Sequence, residues 1–590
     1  MKAAITTTIK KLLTNYDEES FIRACENFVN GECGCPISPA NRRSWADCFR
    51  FLKANLDSPE LEKYPILFEY LMVDSEKRPD VIILCEDKVV ILEFKQKNEV
   101  KKADIAQAAE YRKDISYFHS QTAYQGLSVE SYLVYTVPNT DRIDFPHLTP
   151  SDFQEGLKRI LTEPMSPQKA WEWLNSIYEP LPNIADATAR LFQTGELPNI
   201  KSIREGHIQD CLRAINEIAG LHQRSIIFVE GVPGAGKTLV GIKTVYDTYT
   251  KDPNMRPLYL SGNGPLVNIL QNSLSITGSE GKAFIQGMHT FKRNHDRFVP
   301  VNNLLVFDEA QRAWDEKKNC GISEPEALLR MLSPKQSVTL ICLIGKGQAI
   351  YTGEEIGMPL WQDALNKIPG WNVYLPQSLA NTVYGQIDNR LFLDTSIRND
   401  FVNVSPLVEA LLDCQFEKAR EIYLELVQQG LMIYLTQKPD VLHEIVQLVK
   451  SNNPKDHVGI LVSSYANKKE LFPVGYSDEK IPIDKSWKWY SEESEQLTKG
   501  ASEFTIQGIE LEWPIVTFGG DIFLQNGKWV ISNPVWEEGK TKFSNFSAII
   551  KNIYRVLLTR SRKGMYLYIP HEKNNNLLET WQTLSKVFNM

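Results

Sequence analysis

The segment SIIFVEGVPGAGKTLVGIK constrains the fold of this chain more than any other feature. Its β-branched run predicts a buried strand before Gly231, and the residues from Lys237 onward predict a helix. Between them, Gly231, Gly234 and Gly236 let the backbone curl so that N–H groups face a phosphate. Lys237 can reach the β and γ phosphates and the Thr238 hydroxyl can ligate Mg²⁺, so the sequence predicts an ATP site.

An acidic pair indicates hydrolysis as well as binding. In LLVFDEAQRAW, Asp308 and Glu309 follow an apolar, strand-like run. One carboxylate there can hold the metal, and its neighbour can activate a water molecule. Such a pair can also be a solvated cap, but the phosphate loop upstream favours the catalytic interpretation.

Alternating strand-like and helix-like segments predict the domain organisation. Over 206–400 the alternation is typical of a parallel sheet covered on both faces, and GLMIYLT, HVGILVSS, WPIVTFGG and MYLYIP predict a second α/β domain over 401–590. We expect a separate N-terminal domain over 1–145 and a helical connector with Pro-bearing stretches over 146–205. The length of 590 residues accommodates these units at about 150 residues per domain.

Composition excludes several classes of protein. Hydrophobic residues make up 43% and charged residues 23% of the chain, which is a globular balance, and the formal charge of -8 provides no global basic surface for nucleic acid. Cys33 and Cys35, two of nine scattered cysteines, lack a nearby Cys/His pair for zinc, so reduced thiols are expected. Without a long apolar stretch or a secretory leader, we expect a soluble, cytoplasmic protein that does not contact a membrane.

Seven blocks occur in a diagnostic order: GVPGAGKT, YLSGNGPL, FDEAQR, CLIGKGQAIY, DTSIRND, EFTIQGIELEWPIV and YRVLLTRSRKG. This order resembles a superfamily 1 helicase motor, specifically the Schlafen-type P-loop group of DNA/RNA helicase-like proteins. The resemblance covers roughly residues 205–570. It implies two RecA-like parallel-sheet domains that couple ATP hydrolysis to movement along nucleic acid.

The resemblance also implies roles for residues outside the phosphate loop. Gln348 would sense the γ phosphate, and Arg398 and Arg560 would reach the nucleotide as arginine fingers. The residues that would contact adenine or couple the nucleotide to the nucleic-acid strand are Gln209, Gln507, Gly508 and Glu510. The alternatives are that Arg398 is a surface ion-pair residue, Arg560 a structural residue, Gln507 a loop residue and Gln209 a helix-surface residue.

The chain departs from the family pattern in two ways. Gly345 is followed by Lys346, where the third block usually has Asp, so this chain differs from the family pattern in a block that couples hydrolysis to movement. About 46 residues separate the second block from Asp308 and about 50 separate Gln348 from Arg398, which leaves little room for accessory subdomains. We therefore expect ATP-driven movement rather than processive unwinding.

A second group of charged residues lies in the N-terminal segment RPDVIILCEDKVVILEFKQK. If it is a hairpin with a two-residue turn at Glu86 and Asp87, Asp80 lies directly opposite Glu93, and Lys95 shares their face. Two carboxylates so placed favour Mg²⁺ or Mn²⁺, which can polarise a phosphate while Lys95 orients water.

These residues resemble the PD-(D/E)xK nuclease fold in its RecB-like branch, over about residues 20–140. The resemblance implies that Glu69, on a preceding helix, assists metal binding. Gln107 and Tyr111 match the Gln-x-x-x-Tyr of the branch and would share one helical face near the site. The alternative is a solvated hairpin with charged faces.

Together these features predict an α/β chain in which a PD-(D/E)xK nuclease precedes two RecA-like domains. The expected function is an ATP-hydrolysing nucleic-acid motor fused to a Mg²⁺-dependent nuclease that acts on DNA ahead of RNA, by analogy in bacterial anti-phage defence or DNA repair. The alternatives are an ATP-gated RNA nuclease and a nucleotide-switched scaffold with a degenerate nuclease. Either an oligomer or a partner protein is compatible with this sequence.

Overall fold

The computed structural model describes residues 2–33, 37–72, 77–97, 99, 101–138, 145–178, 184–196, 207–232, 234–276, 281–294, 299–316, 319, 321–345, 357–394, 403–466, 472, 476–506, 508–532, 546–572 and 574–588. The chain forms two compact units. The first consists of Met1–Leu181, Glu421–Met432 and Ser451–Pro454, and the second consists of Pro182–Arg420, Ile433–Lys450 and Lys455–Met590. The α/β class predicted from the sequence is confirmed.

The first unit contains a mixed six-stranded sheet with the order β1-β2-β3-β4-β5-β6. Its strands are β1 (Ile5–Thr8), β2 (Pro65–Phe68), β3 (Val81–Leu84), β4 (Lys88–Lys95), β5 (Ser128–Tyr135) and β6 (His147–Leu148). The first four strands pair antiparallel, whereas β4–β5 and β5–β6 are parallel. A parallel pair needs a crossover connection, and the helix Lys102–Phe118 lies in the one between β4 and β5.

Helices cover both faces of this sheet. On one face, Val90, Leu92 and Phe94 of β4 join the main hydrophobic core with the helices Glu18–Phe28 and Pro39–Asn55. On the other face, Leu133 and Tyr135 of β5 pack against Ala108 and Ala109 of Lys102–Phe118. Because strand side chains alternate, Glu93 and Lys95 lie on the face covered by Lys102–Phe118.

The predicted hairpin register is confirmed. Val81 pairs with Leu92 and Leu84 with Val89, and Cys85 N–H donates to the Lys88 carbonyl at 2.9 Å. The turn therefore lies at residues 86 and 87, which places Asp80 opposite Glu93.

The first unit extends beyond the predicted boundary at residue 145. Strand β6 pairs with β5, and Phe153 and Leu157 of the helix Phe153–Ile160 are buried in the main core of this unit. Phe153 packs edge-on against Phe51 with ring centroids 5.0 Å apart. The predicted connector over 146–205 is thus divided, since its first part completes the N-terminal core.

The second unit contains a parallel sheet with the order β13-β12-β7-β11-β10-β8-β9, in which β14 also pairs with β7. Its strands are β7 (Arg224–Gly231), β8 (Leu258–Ser261), β9 (Ile285–Gly287), β10 (Leu304–Asp308), β11 (Val338–Gly345), β12 (Asn372–Leu375), β13 (Gln386–Ile387) and β14 (Phe392–Leu393). The central strands β7, β8, β10 and β11 are buried along nearly their whole length, which explains their continuous apolar runs.

A smaller sheet with the order β15-β20-β17-β16 belongs to the C-terminal part of the chain. It consists of β15 (Met432–Thr436), β16 (Val458–Val462), β17 (Trp513–Thr517) and β20 (Gly564–Tyr568), and a hairpin of β18 (Ile522–Gln525) and β19 (Lys528–Ile531) stands apart from it. The strands of these two sheets lie on either side of residue 400, and in the smaller sheet β16–β17 and β17–β20 pair parallel. The division into two RecA-like domains at that residue remains a prediction.

The remaining α-helices are Ile9–Asn15, Ser120–Gln125, Pro167–Leu174, Ile184–Thr194, Ile208–Ala219, Lys237–Lys251, Gly264–Ile276, Gly281–Phe284, Met288–Asn294, Glu324–Leu332, Pro359–Lys367, Ser405–Leu412, Phe416–Val427, Val441–Asn452, Ser486–Lys488, Glu503–Ile506, Phe546–Leu558 and Leu578–Phe588. Among the described residues, no helix is both long enough and apolar enough to cross a membrane.

Gly241 allows the helix Lys237–Lys251 to pack closely on the sheet. A Cβ at this position would lie 2.8 Å from Leu343 and 2.9 Å from both Tyr259 and Val306. We expect Gly241→Ala to destabilise the second unit by about 1–3 kcal/mol because these core side chains must move. The measurement is thermal unfolding, with Gly262→Ala as the control because a Cβ there meets no atom within 4 Å. Equal unfolding midpoints for the two variants would show that the core absorbs the methyl group.

Candidate functional site

The glycine-rich loop joins β7 to the helix Lys237–Lys251 at the carboxyl edge of the parallel sheet. Gly234 and Gly236 have φ values of 75° and 82°, a region that favours glycine, and the helix begins at Lys237. Lys237 Nζ donates to the carbonyls of Gly231 at 3.0 Å and Val232 at 3.2 Å. The ammonium thus lies within the loop that would surround a phosphate.

Asp308 lies at the end of β10, beside the first turn of that helix. Its Oδ2 accepts hydrogen bonds from Thr238 Oγ1 at 3.3 Å and from Tyr259 OH at 2.5 Å, and its Oδ1 accepts from Glu309 N–H at 3.0 Å. Burial and the neighbouring charge of Glu309 raise the pKa of Asp308 to about 6, against the effect of the Tyr259 donor. A hydroxyl and a carboxylate oxygen at this spacing fit the oxygen ligands that Mg²⁺ prefers.

Glu309 lies beside Asp308 at a more open position. Its backbone is left-handed, with a φ of 57°, and its side chain is 40% exposed. Gln311 Nε2 donates to this carboxylate, and Arg312 Nε lies 3.3 Å from it. Glu309 is therefore a carboxylate held at the rim of the site, where it can act on a water molecule.

Two residues of this site were not predicted. Gln311 bridges two strand ends, because its amide donates to Glu309 while its Oε1 accepts from Gly345 N–H at 3.0 Å. Tyr259 orients Asp308 from β8. Gln311 could have been identified from its position in the FDEAQR block, whereas no sequence signal distinguishes Tyr259 from an ordinary buried tyrosine.

The other predicted motor residues have different outcomes. Gln348, Arg398 and Gln507 lie outside the described residues. Gln209 is exposed on the helix Ile208–Ala219, and Arg560 is buried, with its Nε donating to the Val556 carbonyl at 3.0 Å. The roles given to these five residues remain predictions.

Gly508 and Glu510 line a cavity in the second unit together with Ile184, Ile269 and Tyr490. Gly508 has a φ of 73°, and a Cβ there would lie 2.8 Å from Asn263 Nδ2. Asn263 in turn accepts a hydrogen bond from Leu266 N–H at the start of the helix Gly264–Ile276.

In the first unit, Asp80 and Glu93 come together where β3 and β4 begin to separate. Asp80 Oδ2 accepts from Phe94 N–H at 2.8 Å, and Asp80 N–H donates to Glu93 Oε2 at 3.4 Å. Burial raises the pKa of Asp80 to about 6, helped by the charge of Glu69, and burial with the charge of Asp80 raises the pKa of Glu93 to about 8. Both carboxyl groups therefore favour a cation that compensates their charge.

A chain of hydrogen bonds extends from this pair to the helix Lys102–Phe118. Lys95 Nζ donates to Glu93 Oε1 at 3.1 Å and to Gln107 Oε1 at 2.9 Å, and Gln107 Nε2 donates to Tyr111 OH at 3.0 Å. The structure thus brings together Glu93, Lys95, Gln107 and Tyr111 as the sequence predicted.

Glu69 differs from the prediction. It lies after β2 and not on a helix, because its backbone is left-handed with a φ of 50°. Its two carboxylate oxygens accept from Trp45 Nε1 at 2.9 Å and Arg78 Nε at 3.0 Å. Within the described residues, no group of three or more His, Cys, Asp or Glu side chains is arranged to hold a metal ion. Asp80 and Glu93 alone fit Mg²⁺ or Mn²⁺, which can keep several water ligands.

A parallel sheet with a phosphate-binding loop and an acidic strand end defines a P-loop nucleotide-binding protein. The family described as Schlafen group 3, DNA/RNA helicase domain, matches residues 224–571. This match spans more than half of the chain, so the protein belongs to that family. A search of curated proteins finds no match.

Solved structures similar to this chain include two of the DUF1998 helicase MrfA. The structure bound to DNA has a TM-score of 0.30 at 11% identity and covers 69% of this chain and 50% of that chain. The structure bound to DNA and AMPPNP has a TM-score of 0.30 at 12% identity, covering 69% and 52%. The Sulfolobus solfataricus SWI2/SNF2 ATPase core in complex with dsDNA has a TM-score of 0.23 at 12% identity, covering 61% and 86%. The chain thus spans about half the length of the MrfA chains.

We expect Tyr259→Phe to weaken binding of Mg²⁺-ATP by about tenfold and to leave binding of metal-free ATP unchanged, because the hydroxyl orients the carboxylate next to the metal. The measurement is titration with a fluorescent ATP analogue, with and without Mg²⁺. Tyr246→Phe, on the helix Lys237–Lys251, is the control because Tyr246 packs against Phe192. Equal losses with and without Mg²⁺ would assign Tyr259 a purely structural role.

Proposed function

We propose that this protein is an ATP-hydrolysing motor that moves along nucleic acid. The observation that carries the proposal is the convergence of Lys237, Thr238, Asp308 and Glu309 at one edge of the parallel sheet. Membership of a DNA/RNA helicase domain family supports nucleic acid as the partner. We infer a cytoplasmic location from the scattered cysteines expected to be reduced.

The residues of the site divide the work of hydrolysis. Lys237 exchanges its contacts with the loop carbonyls for the β and γ phosphates, while Thr238 and Asp308 would hold Mg²⁺. The ion, when bound, neutralises charge on the transferred phosphoryl group. Glu309 accepts a proton from the attacking water, and Gln311 connects Glu309 to the end of β11, so that phosphate loss can shift both strand ends.

We further propose that the first unit is a metal-dependent nuclease that acts on DNA ahead of RNA. Asp80 and Glu93 would hold Mg²⁺ or Mn²⁺, which acidifies a bound water. Lys95, held between Glu93 and Gln107, is placed to orient that water toward a phosphate. Defence against phage or DNA repair is the proposed setting, by analogy alone.

A nucleotide-switched scaffold with a degenerate nuclease is the second candidate. The observation that favours it is the position of Glu69, whose carboxylate binds Arg78 and Trp45. A nuclease needs enough metal ligands to activate a water molecule, whereas a scaffold needs no metal ligands, so a carboxylate that is held by Arg78 and Trp45 is compatible with a scaffold. Cleavage assays with single-stranded DNA, duplex DNA and RNA, with and without ATP, distinguish this candidate, the DNA nuclease and an ATP-gated RNA nuclease.

We expect Lys237→Ala to reduce ATP hydrolysis by at least about 10²-fold, because the transferred phosphate loses the ammonium that stabilises its charge. The measurement is phosphate release in the presence of nucleic acid. Lys243→Ala is the matched control, since Lys243 lies on the same helix and pairs with Asp247. Full, nucleic-acid-stimulated hydrolysis by the Lys237 variant would contradict the motor assignment. A changed cleavage rate in that variant would show that the motor controls the nuclease.

We expect Asp80→Asn and Glu93→Gln to abolish cleavage and to leave ATP hydrolysis within about twofold of the parent, since the two sites share no partners. Product length and phosphate release are measured on the same samples. Glu130→Gln is the control, because Glu130 pairs with Lys88 at the other end of β4. If repurified Asp80 and Glu93 variants cut every substrate that the parent cuts, the nuclease assignment is wrong.

A further inference from the structure

Three acidic residues of the first unit lie in one row at the ends of neighbouring strands. The registers that pair β2 with β3 and β3 with β4 place Glu69, Asp80 and Glu93 side by side, and Glu69 N–H donates to the Asp80 carbonyl at 3.1 Å. Regular alternation along β2 would turn the Glu69 side chain to the face of the sheet that carries Glu93 and Lys95. The row would then present three carboxylates to one cation.

The backbone of Glu69 breaks this alternation. Its φ of 50° is left-handed, which is uncommon for a residue with a Cβ and persists only where the surroundings stabilise it. The stabilising contacts here are made by the carboxylate itself, which is buried with Glu69 only 7% exposed.

One of the two partners of Glu69 lies away from the Lys95–Gln107–Tyr111 chain, whereas the other, Arg78, is near enough to Asp80 for its charge to lower the pKa of that carboxyl group. Trp45, which donates at 2.9 Å, belongs to the hydrophobic core on the opposite face of the sheet. Arg78 donates from Nε at 3.0 Å and supplies a full positive charge. Each oxygen of Glu69 therefore has a donor, and the buried charge is neutralised within the protein.

Asp80 and Glu93 are in a different situation. Asp80 accepts a neutral backbone N–H from Phe94, and the single ammonium of Lys95 serves both the Glu93 carboxylate and Gln107. When both carboxyl groups are ionised, they carry two negative charges against the single charge of Lys95, and a divalent cation that binds them both compensates this excess.

We propose that Arg78 withholds Glu69 from the metal, so that the first unit holds its divalent cation with two carboxylates, those of Asp80 and Glu93. Glu69 is then a positioning residue that fixes Arg78 and the backbone of Asp80. The inference rests on the proposed nuclease function. It implies that water and a substrate phosphate supply the remaining ligands, so the metal binds weakly until nucleic acid arrives.

The test is a double-mutant cycle on Mn²⁺ binding by the full chain, without nucleotide, read from the electron paramagnetic resonance signal of free Mn²⁺. Glu69→Gln alone should change the dissociation constant by less than about threefold, whereas Asp80→Asn should raise it by at least about tenfold. In an Arg78→Gln background the Glu69 carboxylate is released to the metal. There, Glu69→Gln should raise the dissociation constant by at least about tenfold.

Matched controls come from an exposed pair of the same type. Glu18→Gln and Arg50→Gln remove a surface ion pair and should leave Mn²⁺ binding unchanged. Asp308→Asn identifies any Mn²⁺ bound by the second unit. If Arg78→Gln does not fold, as judged by circular dichroism, Arg78→Met replaces it, since methionine keeps an apolar stem of similar length and removes the charge that pairs with Glu69.

Two outcomes of the cycle overturn the inference. A large effect of Glu69→Gln in the parent chain would make Glu69 a metal ligand already, and a small effect in both backgrounds would show that Arg78 does not withhold it. Absence of Mn²⁺ binding to the first unit would overturn both this inference and the nuclease. If Mn²⁺ binding follows the expected pattern but no nucleic acid is cleaved, the nuclease function is refuted and the inference about Arg78 and Glu69 stands.

Discussion

The parallel register between β7 and β11 is the constraint on which the nucleotide site depends. Eight consecutive residue pairs end with Gly345 opposite Gly231, and the adjoining strand β10 ends at Asp308. A shift of one residue would invert the faces of a strand, so the buried apolar side chains hold this alignment in place. The loop, the Asp308 carboxylate and the Gln311 bridge all lie at one edge because these three strands end together.

Features that depend on local geometry could be predicted from the sequence, and features that depend on distant partners could not. The hairpin register followed from a two-residue turn, and the helical spacing of Gln107 and Tyr111 followed from their separation of four residues. The left-handed backbone of Glu69 could not be predicted, because it depends on Trp45 and Arg78. The packing of Phe153 into the core of the first unit could not be predicted either, because its partner Phe51 lies far away in sequence.

Both candidate sites contain buried carboxyl groups with raised pKa values, but the surrounding residues act on these groups in different ways. Asp308 is buried and accepts hydrogen bonds from Tyr259, Thr238 and Glu309, so its orientation is determined before a ligand binds. In the first unit, by contrast, a third carboxylate is neutralised within the protein by Arg78. If the first unit is the proposed nuclease, low affinity for the metal in the absence of substrate would restrict indiscriminate cutting, because the ion and the nucleic acid would have to be present together.

The close approach of Gly508 to Asn263 has a mechanical consequence. A Cβ at position 508 would lie 2.8 Å from Asn263 Nδ2, so any residue larger than glycine would displace the Asn263 side chain, which accepts a hydrogen bond from Leu266 N–H in the helix Gly264–Ile276. Closely packed segments transmit small displacements to each other, whereas loosely packed segments can move independently over short distances. Glycine at position 508 would thus allow a small displacement of this segment to reach the helix Gly264–Ile276 through Asn263.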